Sequence, residues 1–316
     1  MRSRPYAGPP DLRLTQDLVQ ARWRRLGVAA GWHLGDFAWW IAHDQRLLDH
    51  AAERIHLWLD EAGVALASAW IDGHGTLDLE VLPSVDEVEL LPEALGWYRE
   101  RVERLVPAER LRGRAAVYAM EDDRRRIGLL GQAGYEASGE GRDPVLSRPL
   151  ADGGPSPAAL PAGWRVRPVR PEAELGARVL VHRAAFHPSA LTEAAYRRVV
   201  STWPYRADLD WVAVAPGREL AAFCLCWLDQ ANSVVTLEPV GCRPEHRRGG
   251  LASAVCSAAL RHAAGLGALT ATVCGEPANA PAWALYHSLG FRPAVERLRF
   301  ERPLEAGGGA PASARP

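Results

Sequence analysis

The two halves of this chain repeat one pattern, and that constrains the fold more than any other feature. Residues 58–70, WLDEAGVALASAW, and 211–227, WVAVAPGRELAAFCLCW, are each an apolar run, a tight glycine-containing turn and a second apolar run. That order predicts a β-hairpin. Further on, LLGQAGYE (129–136) and LYHSLGFR (285–292) each read as the last turns of a helix, stopped by glycine and followed by an aromatic residue that opens a strand. Both halves then close on Arg-Pro-Leu, at Arg148–Leu150 and Arg302–Leu304. The repetition predicts a duplicated α/β unit. The expected bodies are 11–150 and 162–304. Between them 151–161, ADGGPSPAALP, reads as a linker rich in Gly and Pro, and 305–316, EAGGGAPASARP, reads as a disordered tail.

Composition narrows the function classes. The formal net charge is −1, so no basic field points to a nucleic acid or a membrane surface as partner. No apolar run approaches the roughly 18 residues of a membrane span and the N-terminus lacks a signal-like core, so a cytoplasmic location is expected. All 37 basic residues are arginine. That excludes a Walker-type phosphate loop, a Schiff-base lysine and a lysine base. The five cysteines form no CxxC pair, so neither a metal nor a dithiol is expected, and small buried thiols suffice to explain them.

One stretch stands apart. VGCRPEHRRGGLASAV (240–255) joins an apolar strand to an Ala-rich helix through arginines, a histidine and two glycines. The first N–H groups of a helix lack intrahelical partners, and the aligned peptide dipoles add positive charge there, which together make an anion site. Gly249 and Gly250 let a large anion approach the backbone, and Ala252 keeps the first turn shallow. Arg247 and Arg248 can donate to phosphate. Pro239, just before, removes a ladder donor and predicts a lapse in strand pairing. An Arg-rich surface loop with a glycine turn is the alternative reading of these residues taken alone.

The stretch resembles motif A of the GCN5-related N-acetyltransferase (GNAT) superfamily, whose phosphate loop reads Arg/Gln-x-x-Gly-x-Gly/Ala. Arg247, Gly250 and Ala252 match it. Downstream, NAPAWALYHSLGF (279–291) is similar to motif B of that family, with Asn279, Tyr286 and a closing Gly-Phe. The whole chain resembles the tandem-GNAT arrangement of mycothiol synthase-like proteins. The resemblance implies an α/β (α+β) fold of two GNAT-like domains, each a mixed central sheet flanked by helices. It implies acetyl-CoA as co-substrate and an amine of a small molecule or peptide as acceptor. Main-chain groups of Val240, Gly241 and Cys242 would meet the pantetheine arm. Arg247, Arg248, Gly249, Gly250, Leu251, Ala252 and Ser253 would wrap the diphosphate. Asn279 would contact the cofactor or pin the motif B corner, and Tyr286 would lie near the thioester sulfur. Chemistry suggests Tyr286 as general acid and Glu238 as general base. Glu238 stands two residues before Val240 and so is expected on the same strand face. A non-catalytic acyl-CoA-binding or sensing module is the alternative function.

The first half departs from the pattern. Aligned on Gly134 and Gly290, Leu130 stands where Tyr286 stands and Asp123 where Asn279 stands. Its helix mouth, SVDEVELLPEALGWY, lacks the loop glycines and carries Asp86, Glu87 and Glu89, which would repel a diphosphate. The first half is therefore expected to keep the fold without the cofactor site. GWHLGDFAWW (31–40) reads as a core helix, with a pocket-lining role as the alternative. His187, Trp203 and Tyr205 lie where substrate loops of the resembled family occur and are candidates for acceptor contact.

Overall fold

The computed structural model describes residues 1–107, 111–156 and 159–304; the expected tail at 305–316 lies outside them. The first half runs β1 (Arg2–Pro5), α1 (Pro9–Leu26), α2 (Leu34–His43), α3 (Gln45–Asp49), α4 (Ala51–Arg54), β2 (Ile55–Leu59), β3 (Ala65–Ile71), β4 (Thr76–Val81), α5 (Glu87–Leu105), β5 (Arg114–Met120), α6 (Arg124–Gln132) and β6 (Glu136–Pro149). The second half runs β7 (Arg165–Pro168), α7 (Pro171–Ala185), α8 (Glu193–Val200), β8 (Asp210–Val214), β9 (Leu220–Asp229), β10 (Val234–Cys242), α9 (Leu251–Gly265), β11 (Thr270–Cys274), α10 (Ala280–Ser288) and β12 (Arg292–Pro303). Both predicted hairpins form, as β2–β3 and β8–β9. Gly134 and Gly290 follow α6 and α10 at φ +79° and +89°, conformations that glycine adopts without a Cβ clash.

All twelve strands join in one mixed sheet, ordered β1-β2-β3-β4-β5-β12-β6-β11-β10-β9-β8-β7. Only β4–β5 and β10–β11 pair in parallel. The closing strands are exchanged. β6, from the first half, pairs with β11, from Thr270↔Pro149 to Cys274↔Val145. β12, from the second half, pairs with β5, from Arg297↔Met120 to Pro303↔Arg114. The two also pair with each other at the centre of the sheet. A linker at 151–161 suggested two separate sheets; the exchange instead builds one ladder through both halves.

Each half has its own apolar core. In the first, Trp58, Leu77, Val81, Leu91, Tyr98 and Val117 are buried between the sheet and α5. In the second, Cys224, Cys226, Val235, Leu237, Val255 and Leu260 are buried between the sheet and α9. Burying a side chain of that size stabilises by roughly 1.5–3 kcal/mol. A third cluster joins the halves: Ala38, Trp39 and Ala42 of α2 pack on Val179, Tyr196, Leu225 and Trp227. The stretch 31–40 is thus a core helix. Its start is fixed by a capping box, with the Gly35 N–H donating to His33 Nδ1 (3.0 Å) and the His33 N–H to Asp36 Oδ2 (2.7 Å).

Candidate active site

The site begins where two parallel strands part. β10 and β11 pair only over Val234–Thr236 and Thr270–Thr272, although β10 continues to Cys242. On its other edge β10 stays paired with β9, but the register slips between Leu237↔Cys226 and Val240↔Cys224. Pro239, which has no N–H, falls in this bulge, as the sequence suggested. The result is a wedge between β10 and β11 whose wall includes backbone groups of 237–242 outside the β11 ladder.

The bulge also overturns an expectation. Cys224 and Cys226 share a face, so their partners Val240 and Leu237 share one too, and both pack in the α9-side core. Glu238 is therefore not on the face of Val240. The extra residue reverses the alternation, and Glu238 lies on the face covered by α2 and α7. There the Trp227 indole donates to the Glu238 carbonyl at 2.6 Å. Among the described residues no hydrogen bond or ion pair engages the Glu238 carboxyl. Burial and, after it, the Asp36 carboxylate push that carboxyl up to about 8.

Gly241 is a glycine for a reason other than cofactor approach. A Cβ there would meet Phe223 Cζ at 2.5 Å and the Ala185 Cβ at 2.9 Å, so β10 packs directly beneath α7. The helix mouth follows. Gly250, at φ +76°, is the N-cap residue of α9, and no side chain caps the first turn. The N–H groups of Leu251, Ala252 and Ser253 thus precede the first intrahelical bond, which runs from Ala254 N–H to the Gly250 carbonyl. A Cβ at Gly250 would meet open space, so the backbone angle alone calls for glycine; Gly249 has neither positive φ nor a close neighbour.

The arginines divide by role. Arg247 donates to the carbonyls of Cys242 (3.3 Å) and Ala185 (3.2 Å), tying the loop to β10 and α7. Arg243 and His246 are both engaged with Glu219. Arg248 is exposed, at φ +64°, with no ion pair to any carboxylate among the described residues. Beside the first turns of α9 a cleft of about 770 Å³ opens, lined by Ser253, Ser257, Ser288 and Gly290.

Tyr286, on α10, packs in the core that Leu237 of β10 and Val273 of β11 share. The residue is 8% exposed, and its phenol has no hydrogen-bond partner among the described residues. Burial holds the phenol well above its ordinary pKa, and Cys256 and Glu238 add to the effect. It is a neutral donor at any working pH. Asn279 caps α10, accepting from the Ala282 N–H at 3.2 Å, so it pins the corner. Asp123 does the same for α6, accepting from the Arg126 N–H at 3.0 Å.

The three acceptor candidates are not brought together. His187 is exposed just beyond the end of α7, near the Ala185 carbonyl that Arg247 holds. Trp203 stacks under the Arg13 guanidinium at 3.7 Å, and Tyr205 directs its hydroxyl to Asp210. Both line a different cleft, of about 570 Å³, with Gln20, Leu228 and Ala231. Leu228 pairs with Val235, five residues from Val240, or roughly 16 Å along the strand. Tyr205 also meets the Trp227 ring edge-on at 6.2 Å, and the Trp227 indole is the group that holds the Glu238 carbonyl.

The first half has the same wedge, filled. β4 and β5 pair only at Thr76–Leu77 and Ala116–Val117. Arg126, at the position of Ala282, donates to the Leu79 carbonyl at 2.8 Å and bidentately to Glu87 at the mouth of α5. Arg22 pairs with Glu80 (2.5 Å) and Arg297 with Asp78 (2.7 Å), the latter guanidinium lying between the Trp32 and Tyr118 rings. The space left measures about 10 Å³. Asp86, predicted at the helix mouth, caps α5 through the Val88 N–H. Composition hinted at carboxylates here; the buried arginines that answer them were indistinguishable from the other arginines of the chain.

Among the described residues no group of three or more His, Cys, Asp or Glu side chains could hold a metal, and no helix is long and apolar enough to cross a membrane. All five cysteines are free thiols.

Comparison with known proteins agrees with this geometry. Residues 178–291 match the model of the acetyltransferase (GNAT) family. No curated protein matches the sequence. Among solved structures, a GCN5-related N-acetyltransferase from Sphaerobacter thermophilus is similar over 97% of this chain and 96% of its own, with TM-score 0.60 at 18% identity. A tandem GNAT protein of the clavulanic acid biosynthesis pathway is similar over 97% and 99%, with TM-score 0.59 at 16% identity. A GNAT-family acetyltransferase from Colwellia psychrerythraea is similar over 95% and 99%, with TM-score 0.59 at 14% identity. At these identities the likeness is one of fold, and it spans both halves.

Proposed function

We propose that this chain, whose residues 178–291 match the GNAT acetyltransferase family model and whose fold is similar along its length to that of a tandem GNAT protein, moves an acetyl group from acetyl-CoA to a primary amine in the second half alone. The observation that carries this reading is the wedge between β10 and β11, with Tyr286 of α10 in the core that Leu237 of β10 and Val273 of β11 share. Acetyl-CoA would supply an acetyl group activated as a thioester. The wedge offers β10 backbone groups at 240–242 to an extended arm. The uncapped mouth of α9 and the free Arg248 suit a diphosphate, and the cleft beside Ser253 and Ser257 leaves room for a nucleotide.

The residues divide the proton work. Glu238, with its carboxyl pushed up to about 8, is the base, acting in the mildly alkaline range where it is ionised. Tyr286, held neutral, gives a proton to the leaving sulfur. Backbone N–H groups near Val240 polarise the carbonyl. Holding amine and thioester together supplies a large further share of the rate. The first half binds no acetyl-CoA in this reading, because Arg126, Arg22 and Arg297 occupy its wedge. Isothermal calorimetry of the full chain should return one acetyl-CoA per chain. Two sites would refute the division of labour, and no binding would refute the transferase reading. Thiol release on adding an amine panel separates the enzyme from a sensing module, which would bind without acceptor-dependent turnover.

A further inference from the structure

The α2 helix belongs to the first half but covers the second half's site. Its first turn is docked without a gap: a Cβ at Gly35 would overlap the Trp227 side chain, and the same Trp227 indole holds the Glu238 carbonyl. Asp36, next to Gly35, is 6% exposed. One of its oxygens accepts the His33 N–H, and among the described residues no donor reaches the other. Around this spot stand the Glu238 carboxyl of β10, the Cys274 thiol of β11, the Tyr286 phenol of α10 and the Arg297 guanidinium of β12, which is already paired with Asp78. The Tyr286 phenol, without a hydrogen-bond partner among the described residues, feels the charge of Glu238 and Cys274.

We propose that Asp36, supplied by the first half, completes the acceptor site of the second half, and that the acceptor is an alkyl amine that arrives as its ammonium ion between the carboxylates of Asp36 and Glu238. The proposal rests on the transferase reading above. Glu238 takes one ammonium proton. The nitrogen lone pair so released forms the N–C bond to the acetyl carbon, the C–S bond breaks, and the sulfur takes its electron pair and the Tyr286 proton. Glu238 passes its proton to solvent, and the second nitrogen proton, lost as the amide forms, restores the Tyr286 phenol. Asp36 moves no proton; it holds charge. Burial raises Asp36 to about 7, opposed by the His33 N–H and Arg297, so both acids are ready to ionise once a cation is present. On the same face, Phe186 packs on His182 (4.8 Å) and Phe223 (6.2 Å), giving the site an aromatic flank.

The test uses full-length protein loaded with CoA and benzylammonium as probe, by calorimetry at pH 8.5, where the probe is still protonated. Asp36→Asn keeps a carbonyl oxygen for the His33 N–H, so α2 retains its cap. Benzylammonium affinity should fall about tenfold or more in Asp36→Asn, the loss expected for a charged hydrogen bond, with CoA affinity unchanged. Equal benzylammonium affinity in wild type and variant would overturn the proposal. A comparison within wild type needs no variant: benzyl alcohol, the neutral isostere, should bind about tenfold more weakly, and equal affinity or no ammonium binding would also overturn it. Failure of acetyl-CoA itself to bind would sink the transferase reading; normal acetyl-CoA binding with indifference to Asp36 would sink only this inference.

Discussion

Glu238 carries the pH behaviour of this protein. Its carboxyl is pushed from an ordinary 4.5 to about 8 by burial and then by Asp36. A base with that value is ionised only above about pH 8, so kcat/KM for an amine should climb through pH 8. Glu238→Gln should remove that limb and lower activity most on the alkaline side. A pH–rate profile with the limb still present in the variant would exclude Glu238 as the base. The same shift acts on stability. The folded state holds this proton between about pH 4.5 and 8 while the unfolded state does not. Stability from this group is thus present at low pH and lost as pH rises through that window. Glu238→Gln should therefore melt higher than wild type at pH 9 and about equally at pH 4, as scanning calorimetry can show. At Tyr286, exchange for Phe should lower kcat by about a hundredfold, the usual scale of a general acid, with little change in acetyl-CoA affinity. The loop glycines separate cleanly. Gly250→Ala forces an L-residue to φ +76° and should cost about 1 kcal/mol or more and weaken acetyl-CoA. Gly249→Ala carries no such backbone penalty, and the pair compared by denaturant melts isolates the conformational effect.

At the scale of elements, the proposed division of labour between the halves rests on the bulge in β10 and the arginine plug in β4–β5. Both halves begin with the same splayed parallel pair, and what fills the opening decides its use. In the second half, Ala282 stands at the start of α10 and leaves the wedge open; in the first, Arg126 at the matching place reaches the Leu79 carbonyl and Glu87. Arg126→Ala strands the Glu87 carboxylate that Arg126 holds below its ordinary range, and leaves the Leu79 carbonyl without that donor. Removing one partner of a buried pair costs about 3–5 kcal/mol, so chemical denaturation should show a loss of that order. Acetyl-CoA stoichiometry should stay at one, because Asp86 and Glu87 remain at the helix mouth. The hairpins, the helix after each splayed strand and the glycine stops were all legible, since each depends on local periodicity and turn chemistry. The bulge was legible only as a proline; its consequence for Glu238 depends on the register with β9, which no local pattern states.

For the molecule as a whole, the exchanged strands are decisive. β6 completes the second half's ladder and β12 the first's, and Arg297 on β12 carries its charge into the first half's core. Neither half owns a complete sheet. Expressed separately, 1–150 and 159–304 should each be insoluble or molten by near-ultraviolet circular dichroism, and co-expression should restore a folded pair. Two independently folded halves would contradict the role assigned to the exchange. The α2 contact adds to the same interlock, joined by hydrogen bonds from Gln20 to Asp229 (2.7 Å) and from Gln16 to the Trp203 carbonyl (2.7 Å).

The sequence by itself determined the duplication, the α/β character, the glycine-led helix mouth and the half that bears it, because these follow from periodicity, glycine placement and charge within short spans. The three-dimensional structure alone decided which strand completes which half, that Glu238 turns to the face of α2, that Trp203 and Tyr205 line one cleft, and that Asp36 stands beside Glu238. The physical reason is range. A turn or a cap is settled within a few residues. The partner of a strand edge or of a buried carboxylate is chosen by whichever distant segment satisfies its hydrogen bonds and charge, and here that segment comes from the other half of the chain.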